Sequence, residues 1–261
     1  MGLRQTLPGA REVHVWNVKL AASEATGDAC FRSLSEDEGE RIARYRDPEL
    51  REIHTLARGV LRALLGRYLA TDARQLRFAY GKRGKPRVAD PETDLAFNLA
   101  HSERRAVYAF ATGCELGVDV EAVRPVNDAE GIVRRFFSPA ECAEWRALAR
   151  AERDAAFFRC WTRKEAYIKA LGDGLMLPLD GFQVSLRPGE PARLIRARGD
   201  AEAARRWTLV ALTPGAGYAG ALALAESGRQ VRESPLLSAD EAIAVEQGGG
   251  AFPAFVAQFG A

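Results

Sequence analysis

From Glu49 to Ala70 the apolar residues Ile53, Leu56, Ala57, Val60, Leu61, Leu64, Leu65 and Leu69 recur three and four positions apart, the spacing of one face of an α-helix. A helix this long with a single apolar stripe has to bury that stripe against another element. Strand patterns flank it. In REVHVWNVKL, Trp16, Val18 and Leu20 alternate with Asn17 and Lys19, which predicts a strand near 12–20. Leu76–Tyr80, Leu95–Leu99 and Ala106–Thr112 read as further strands. The stretch GKRGKPRVADPETD between them reads as loop. Ser35 followed by Glu38 resembles a capping box and starts a helix near 36.

The same kinds of element return after Gly113. Glu115–Glu121 reads as a strand. Ser138-Pro139-Ala140-Glu141 is a helix start, with serine at the cap and proline at the first helical position. One helix should run from there to about Arg150, and another from about Glu152 to Leu171, closed by Gly172. Gly181–Leu186, Arg206–Leu212 and Tyr218–Ala225 read as strands. The fold class is therefore α+β. The turn at Gly113 divides an N-terminal half, 1–112, from a C-terminal half, 113–228. Residues 229–261 are weakly patterned, end in GGGAFPAFVAQFGA, and read as a peripheral tail. No Pro/Ser-rich linker separates the halves, so they should pack closely.

Composition narrows the function classes. With 47% hydrophobic and 28% charged residues in 261, the chain is an ordinary globular one, not a disordered or fibrous one. It has no apolar run of about 18 residues, so no membrane span is expected, and its first residues lack the apolar core of a signal peptide. Cys30, Cys114, Cys142 and Cys160 lie far apart, which argues against a disulfide framework or zinc knuckle and for a reducing cytoplasm. A net charge of +2 does not suit a generic nucleic-acid binder. Arginine supplies 32 of the 37 basic residues. Four of the five lysines, Lys82, Lys85, Lys164 and Lys169, fall in two short segments. Lysine is a compact point charge, suited to phosphate.

Three segments carry chemistry. In Gly117-Val118-Asp119-Val120-Glu121, a strand puts Asp119 and Glu121 on one face, with Val118 and Val120 buried on the other. Two close carboxylates repel, and a hard divalent cation with oxygen ligands resolves the repulsion. Taken alone, the pattern also suits an edge strand with a solvated acidic face. In Trp161–Lys169, Glu165 and Lys169 stand one helical turn apart, which also suits a surface i,i+4 pair. Lys164 falls inside the apolar stripe of Phe157, Trp161, Ile168 and Leu171, where an ammonium needs an anion or a path to solvent. The third segment is Gly84-Lys85-Pro86, followed by Asn98-Leu99-Ala100-His101-Ser102. His101 and Ser102 close a strand, at a corner suited to phosphate. His14 and His54 read as structural.

Together, in this order, the motifs resemble those of the 4′-phosphopantetheinyl transferases, specifically the larger, pseudo-dimeric, surfactin-type class. That family carries a GKP turn, an N-[LI]-S-H-S segment, G-[VI]-D-[VI]-E, and W-x-x-K-E-[AS]-x-x-K-x-x-G. Here they stand as Gly84–Pro86, Asn98–Ser102, Gly117–Glu121 and Trp161–Gly172. Ala57-Arg58-Gly59, Arg62 and Arg134–Ser138 also look familial, so the resemblance spans roughly 12–225. Ala100 stands where the family usually has serine, which implies somewhat weaker coenzyme binding but not loss of activity.

The resemblance implies two similar α/β halves about a pseudo-twofold axis, with the active site in the cleft between them, in a monomer. It implies transfer of phosphopantetheine from coenzyme A to a serine of an apo acyl or peptidyl carrier protein, releasing 3′,5′-ADP. Asp119, Glu121 and Glu165 would hold Mg²⁺, or alternatively Mn²⁺. Glu165 would be the general base, and Lys169 would stabilise the pyrophosphate. Lys85, His101 and Ser102 would bind the coenzyme, with Arg58 and Lys164 assisting. Two other readings of the same residues are a metal-dependent nucleotide or coenzyme A hydrolase and a non-catalytic module that docks carrier proteins. Arg134, Arg135, Phe136 and Phe137 offer a docking edge of arginines and aromatics.

Overall fold

The computed structural model describes residues 6–82, 84–172, 177–197, 200–244 and 256–259. The first strand, β1 (Glu12–Lys19), is followed by helices α1 (Glu24–Ser33), α2 (Glu36–Ala43) and α3 (Pro48–Leu69). Asp47 caps α3 by accepting from the Glu49 N–H at 2.9 Å, with Pro48 in its first turn. The expected capping box of Ser35 and Glu38 starts α2. Strands β2 (Arg77–Tyr80), β3 (Pro86–Asp90), β4 (Leu95–Ser102) and β5 (Arg105–Thr112) follow. Part of the expected loop is therefore a strand: β3 pairs antiparallel with β2.

The second series opens with β6 (Leu116–Ala122), followed by helices α4 (Ala129–Phe136), α5 (Pro139–Ala147) and α6 (Arg150–Leu171). Strands β7 (Phe182–Val184) and β8 (Leu194–Ala197) form a small hairpin. After α7 (Ala201–Ala204) come β9 (Thr208–Leu212) and β10 (Tyr218–Leu224), then β11 (Gln230–Ser238), α8 (Ala239–Ala244) and β12 (Val256–Phe259).

The strands build a five-stranded sheet, β12-β11-β1-β5-β4, and a three-stranded sheet, β6-β10-β9. β1 runs parallel to β11, and the other pairings are antiparallel. Gln230–Ser238 is thus no peripheral tail. It lies beside β1, and its Val231 and Leu237 are core residues. The glycine run before β12 lies outside the described residues.

Strand alternation distributes side chains among three cores. On one face of the large sheet, Trp16, Val18, Tyr108 and Phe110 pack against Leu56, Val60, Leu61 and Leu64 of α3. On its other face, Val13, Val15, Val107 and Ala109 meet Val118, Val120, Val210 and Leu222 of the small sheet. The outer face of the small sheet, through Leu209, Ala219, Ala221 and Ala223, carries α6. The layers run α3, large sheet, small sheet, α6. Among the described residues, no helix is long and apolar enough to cross a membrane.

Candidate active site

The site forms where β4 and β6, the edges of the two sheets, meet. Side chains join them. Asn98 Oδ1 accepts from the Val118 N–H at 2.8 Å, and Ser102 Oγ accepts from the Ala122 N–H at 3.2 Å. Ser102 also donates to Glu121 Oε2 at 2.7 Å. Ser102 therefore meets the acidic strand directly, and Asn98, given no role on sequence grounds, stitches the seam.

With Val118 and Val120 turned into the inter-sheet core, Gly117, Asp119 and Glu121 take the α6 side. Gly117 lets the helix come close. A Cβ there would sit 2.3 Å from Ala166 O and from Ala170 N, well inside van der Waals contact. Two residues along, Asp119 is 4% exposed. Its Oδ1 accepts from Lys169 Nζ at 2.5 Å, while Oδ2 is buried without a hydrogen-bond partner. Burial drives the Asp119 pKa up to about 7. The neighbouring Glu121 and Glu165 add to the rise, and Lys169 opposes it. Burial also raises Glu165, against Lys169 and with Glu121. Glu165 and Lys169 thus belong to the acidic strand's surroundings and are not a surface pair alone.

Beside this group, burial, His54 and Lys169 lower the His101 pKa to about 4, so the imidazole is neutral at pH 7. Its ring stands edge-on to His54 at 4.8 Å, and His54 stacks on Tyr45 at 4.2 Å. Lys85 reaches the far end of α6, where Nζ donates to Glu115 Oε2 at 2.5 Å and to Ala170 O at 3.1 Å. Ala100, in the position of the usual serine, faces the inter-sheet apolar core.

Two other expected coenzyme ligands are engaged by protein groups. Lys164 is fully buried and paired with Glu141 at 2.7 Å, so it has no free proton to offer a phosphate. Arg58 forms a close ion pair with Glu38, donates to Tyr80 Oη at 3.1 Å and lies over the Phe78 ring at 4.4 Å. These contacts hold α2 and β2 against α3. In the docking edge Arg134 and Arg135 are exposed, Phe136 is half-buried and Phe137 is buried.

Whether these residues suit a metal has two answers. Among the described residues, no three His, Cys, Asp or Glu side chains stand close enough to enclose an ion as they are. The donor chemistry nevertheless fits a hard divalent cation. Asp119 Oδ2 is buried and unpaired, and the adjacent carboxylates of Glu121 and Glu165 raise its pKa.

Residues 115–223 match the family model described as the 4′-phosphopantetheinyl transferase superfamily. The chain is 39% identical over 221 residues to the 4′-phosphopantetheinyl transferase HetI of Nostoc sp. (strain PCC 7120 / SAG 25.82 / UTEX 2576), covering 84% of this chain and 90% of that one. It is 35% identical over 167 residues to the 4′-phosphopantetheinyl transferase Sfp of Bacillus subtilis (strain 168), covering 59% of this chain and 73% of that one. On this similarity across nearly the whole of one relative, the chain belongs to the 4′-phosphopantetheinyl transferase superfamily and is an enzyme of that class.

Proposed function

We propose that the enzyme moves phosphopantetheine from coenzyme A to a serine hydroxyl of an apo acyl or peptidyl carrier protein and releases 3′,5′-ADP. It works as a monomer in the cytoplasm, in keeping with four free, buried cysteines. Its two halves are related by a pseudo-twofold axis, and the coenzyme lies in the cleft between them. Matching strand orders support that axis: β1-β5-β4 in one series and β6-β10-β9 in the other, each first strand pairing with the last. The observation that carries the reading is Asp119, a buried carboxylate with one oxygen on Lys169 and the other unpaired.

Asp119, Glu121 and Glu165 would hold a divalent cation, Mg²⁺ or Mn²⁺. When bound, it would neutralise charge on the phosphoryl oxygens. Glu165, its pKa raised by burial, takes the serine proton directly or through one water. The serine oxygen forms a bond to the β-phosphorus as the bond to the departing 3′,5′-ADP breaks. Lys169 stabilises the pyrophosphate oxygens with its ammonium. Lys85 exchanges Glu115 for the 3′-phosphate, and His101, neutral at pH 7, donates one ring N–H to it.

The test combines coenzyme A, Mg²⁺ and an apo carrier domain, followed by intact mass. Carrier gain of one phosphopantetheinyl group supports transfer. Coenzyme cleavage with an unmodified carrier indicates a hydrolase, and no chemistry at all indicates a docking module.

A further inference from the structure

Two consecutive residues of α6 serve opposite surroundings. Glu165 belongs to the acidic group beside β6. Lys164 points into the core of its own half and is completely enclosed. Its ammonium makes three short contacts, with Glu141 Oε2 at 2.7 Å, Leu179 O at 2.7 Å and Phe182 O at 2.8 Å, and it lies 4.3 Å from the Phe182 ring centroid. An ammonium has three protons, so its capacity is filled. Glu141, equally enclosed, accepts from the Ser138 N–H through Oε2 and from the Val184 N–H through Oε1, both at 2.7 Å. One buried point thus ties the start of α5, the middle of α6 and the chain entering β7.

Packing alone does not require such a pair. Well-packed apolar residues often replace a buried ion pair at no cost, whereas removing one partner strands a charge. What the pair supplies is direction, because a filled hydrogen-bond set admits one arrangement. A roll of α6 by one residue, about 100°, would carry Glu165 and Lys169 off the β6 face. Gly117 sets how closely the helix lies on the strand but, having no side chain, does not oppose rolling. We infer that Lys164 and Glu141 are positioning residues for transfer, fixing the roll of α6 so that Glu165 and Lys169 face Asp119. The kinetic consequence rests on the transferase reading above; the geometric one does not.

The test uses the full chain carrying Lys164→Met/Glu141→Gln, which removes both charges and keeps an acceptor at residue 141. Lys164→Met alone should melt well below wild type, and the double variant should recover most of that loss. At matched folding, kcat for carrier modification should remain roughly 10- to 100-fold low, the scale of misplaced reacting groups, while KM for coenzyme A changes little. The activity-independent readout is the ¹³Cε resonance of Lys169, assigned through Lys169→Arg and tractable because the chain has only five lysines. That resonance should move in the double variant. In a folded double variant, either a wild-type kcat or an unmoved Lys169 resonance overturns the inference. If wild type modifies no carrier, the transferase reading falls and the resonance alone decides the positioning role. If the double variant does not fold, Lys164→Arg takes its place, with the same two readouts and the same expected outcomes.

Discussion

Lys169 and Asp119 meet across the contact of α6 with β6, Nζ to Oδ1 at 2.5 Å, although 50 positions separate them in the chain. The contact uses one carboxylate oxygen and leaves the other buried and unpaired. A single ammonium therefore only partly offsets the charge that three neighbouring carboxylates place at this seam.

Asp119→Asn should make the metal-free protein more stable at pH 8, by roughly 1–3 kcal/mol, because the amide oxygen can still accept from Lys169 while a buried charge is removed. The sign follows from the raised pKa. Wild type loses stability as pH rises from the ordinary carboxylate value of 3.8 through about 7, so the gain should shrink at pH 5. Melting with and without Mg²⁺ checks both halves: the variant should lose the cation-induced rise and also transfer. A variant that melts lower than wild type at pH 8 and still responds to Mg²⁺ would take Asp119 out of the metal site.

Gly117→Ala should separate α6 from β6. The new methyl would collide with backbone atoms of Ala166 and Ala170, which cannot swing aside as a side-chain tip can. Overpacking of this kind costs about 1–3 kcal/mol. Transfer should fall further than stability does, because the displaced helix carries Glu165 and Lys169. Normal kcat in a folded Gly117→Ala enzyme would show that the approach is slacker than the geometry indicates.

Acid should weaken the fold through His14. Trp16 Nε1 is 3.0 Å from Tyr68 Oη, and His14 Nδ1 is 2.8 Å from the same oxygen. Indole is a donor only, so the hydroxyl accepts from it and gives its own proton to neutral His14. Burial lowers the His14 pKa from 6.5 to about 4. Its stabilising contribution is present above about pH 6.5 and is lost as pH falls through about 4, a span equivalent to roughly 3 kcal/mol. Urea unfolding of wild type and His14→Gln between pH 7 and pH 4 should show the steeper acid loss in wild type; parallel curves would refute it.

Arg134→Glu/Arg135→Glu should raise KM for an acidic carrier domain severalfold at low salt and leave KM for coenzyme A unchanged. Both arginines are exposed in the last turn of α4, and Arg135 lies over the Phe136 ring at 5.1 Å. Attraction at an exposed rim acts on encounter and is screened by salt. Unchanged KM for the carrier would place docking on another surface.

Periodicity made the long helices legible, because α3 and α6 each show an apolar stripe over about four turns. It also placed Asp119 and Glu121 on one face, since strand side chains alternate strictly. Partners distant in sequence were not legible. The enclosed ammonium of Lys164 called for an anion, but Glu141 read only as the closing residue of a capping box, and it fills both roles. Arg58 looked available to a phosphate because nothing local announced Glu38, 20 positions upstream. Asn17 looked like the polar side of a half-exposed strand. It is buried, and it donates to Glu233 and to the Ser234 carbonyl. β11 was missed for the same reason: Arg232, Glu233 and Pro235 obscure its alternation, and its burial comes from neighbours built elsewhere.

The parallel pairing of β1 with β11 has a consequence for synthesis. Asn17 and Ser234 are 217 positions apart, so β1 emerges from the ribosome long before its neighbour exists. Until then β1 can pair with β5 on one side only, and its other edge stays open to any passing strand. Contacts of such sequence separation form slowly. The large sheet can therefore close only once β11 has been made, and until then one edge of β1 needs another cover.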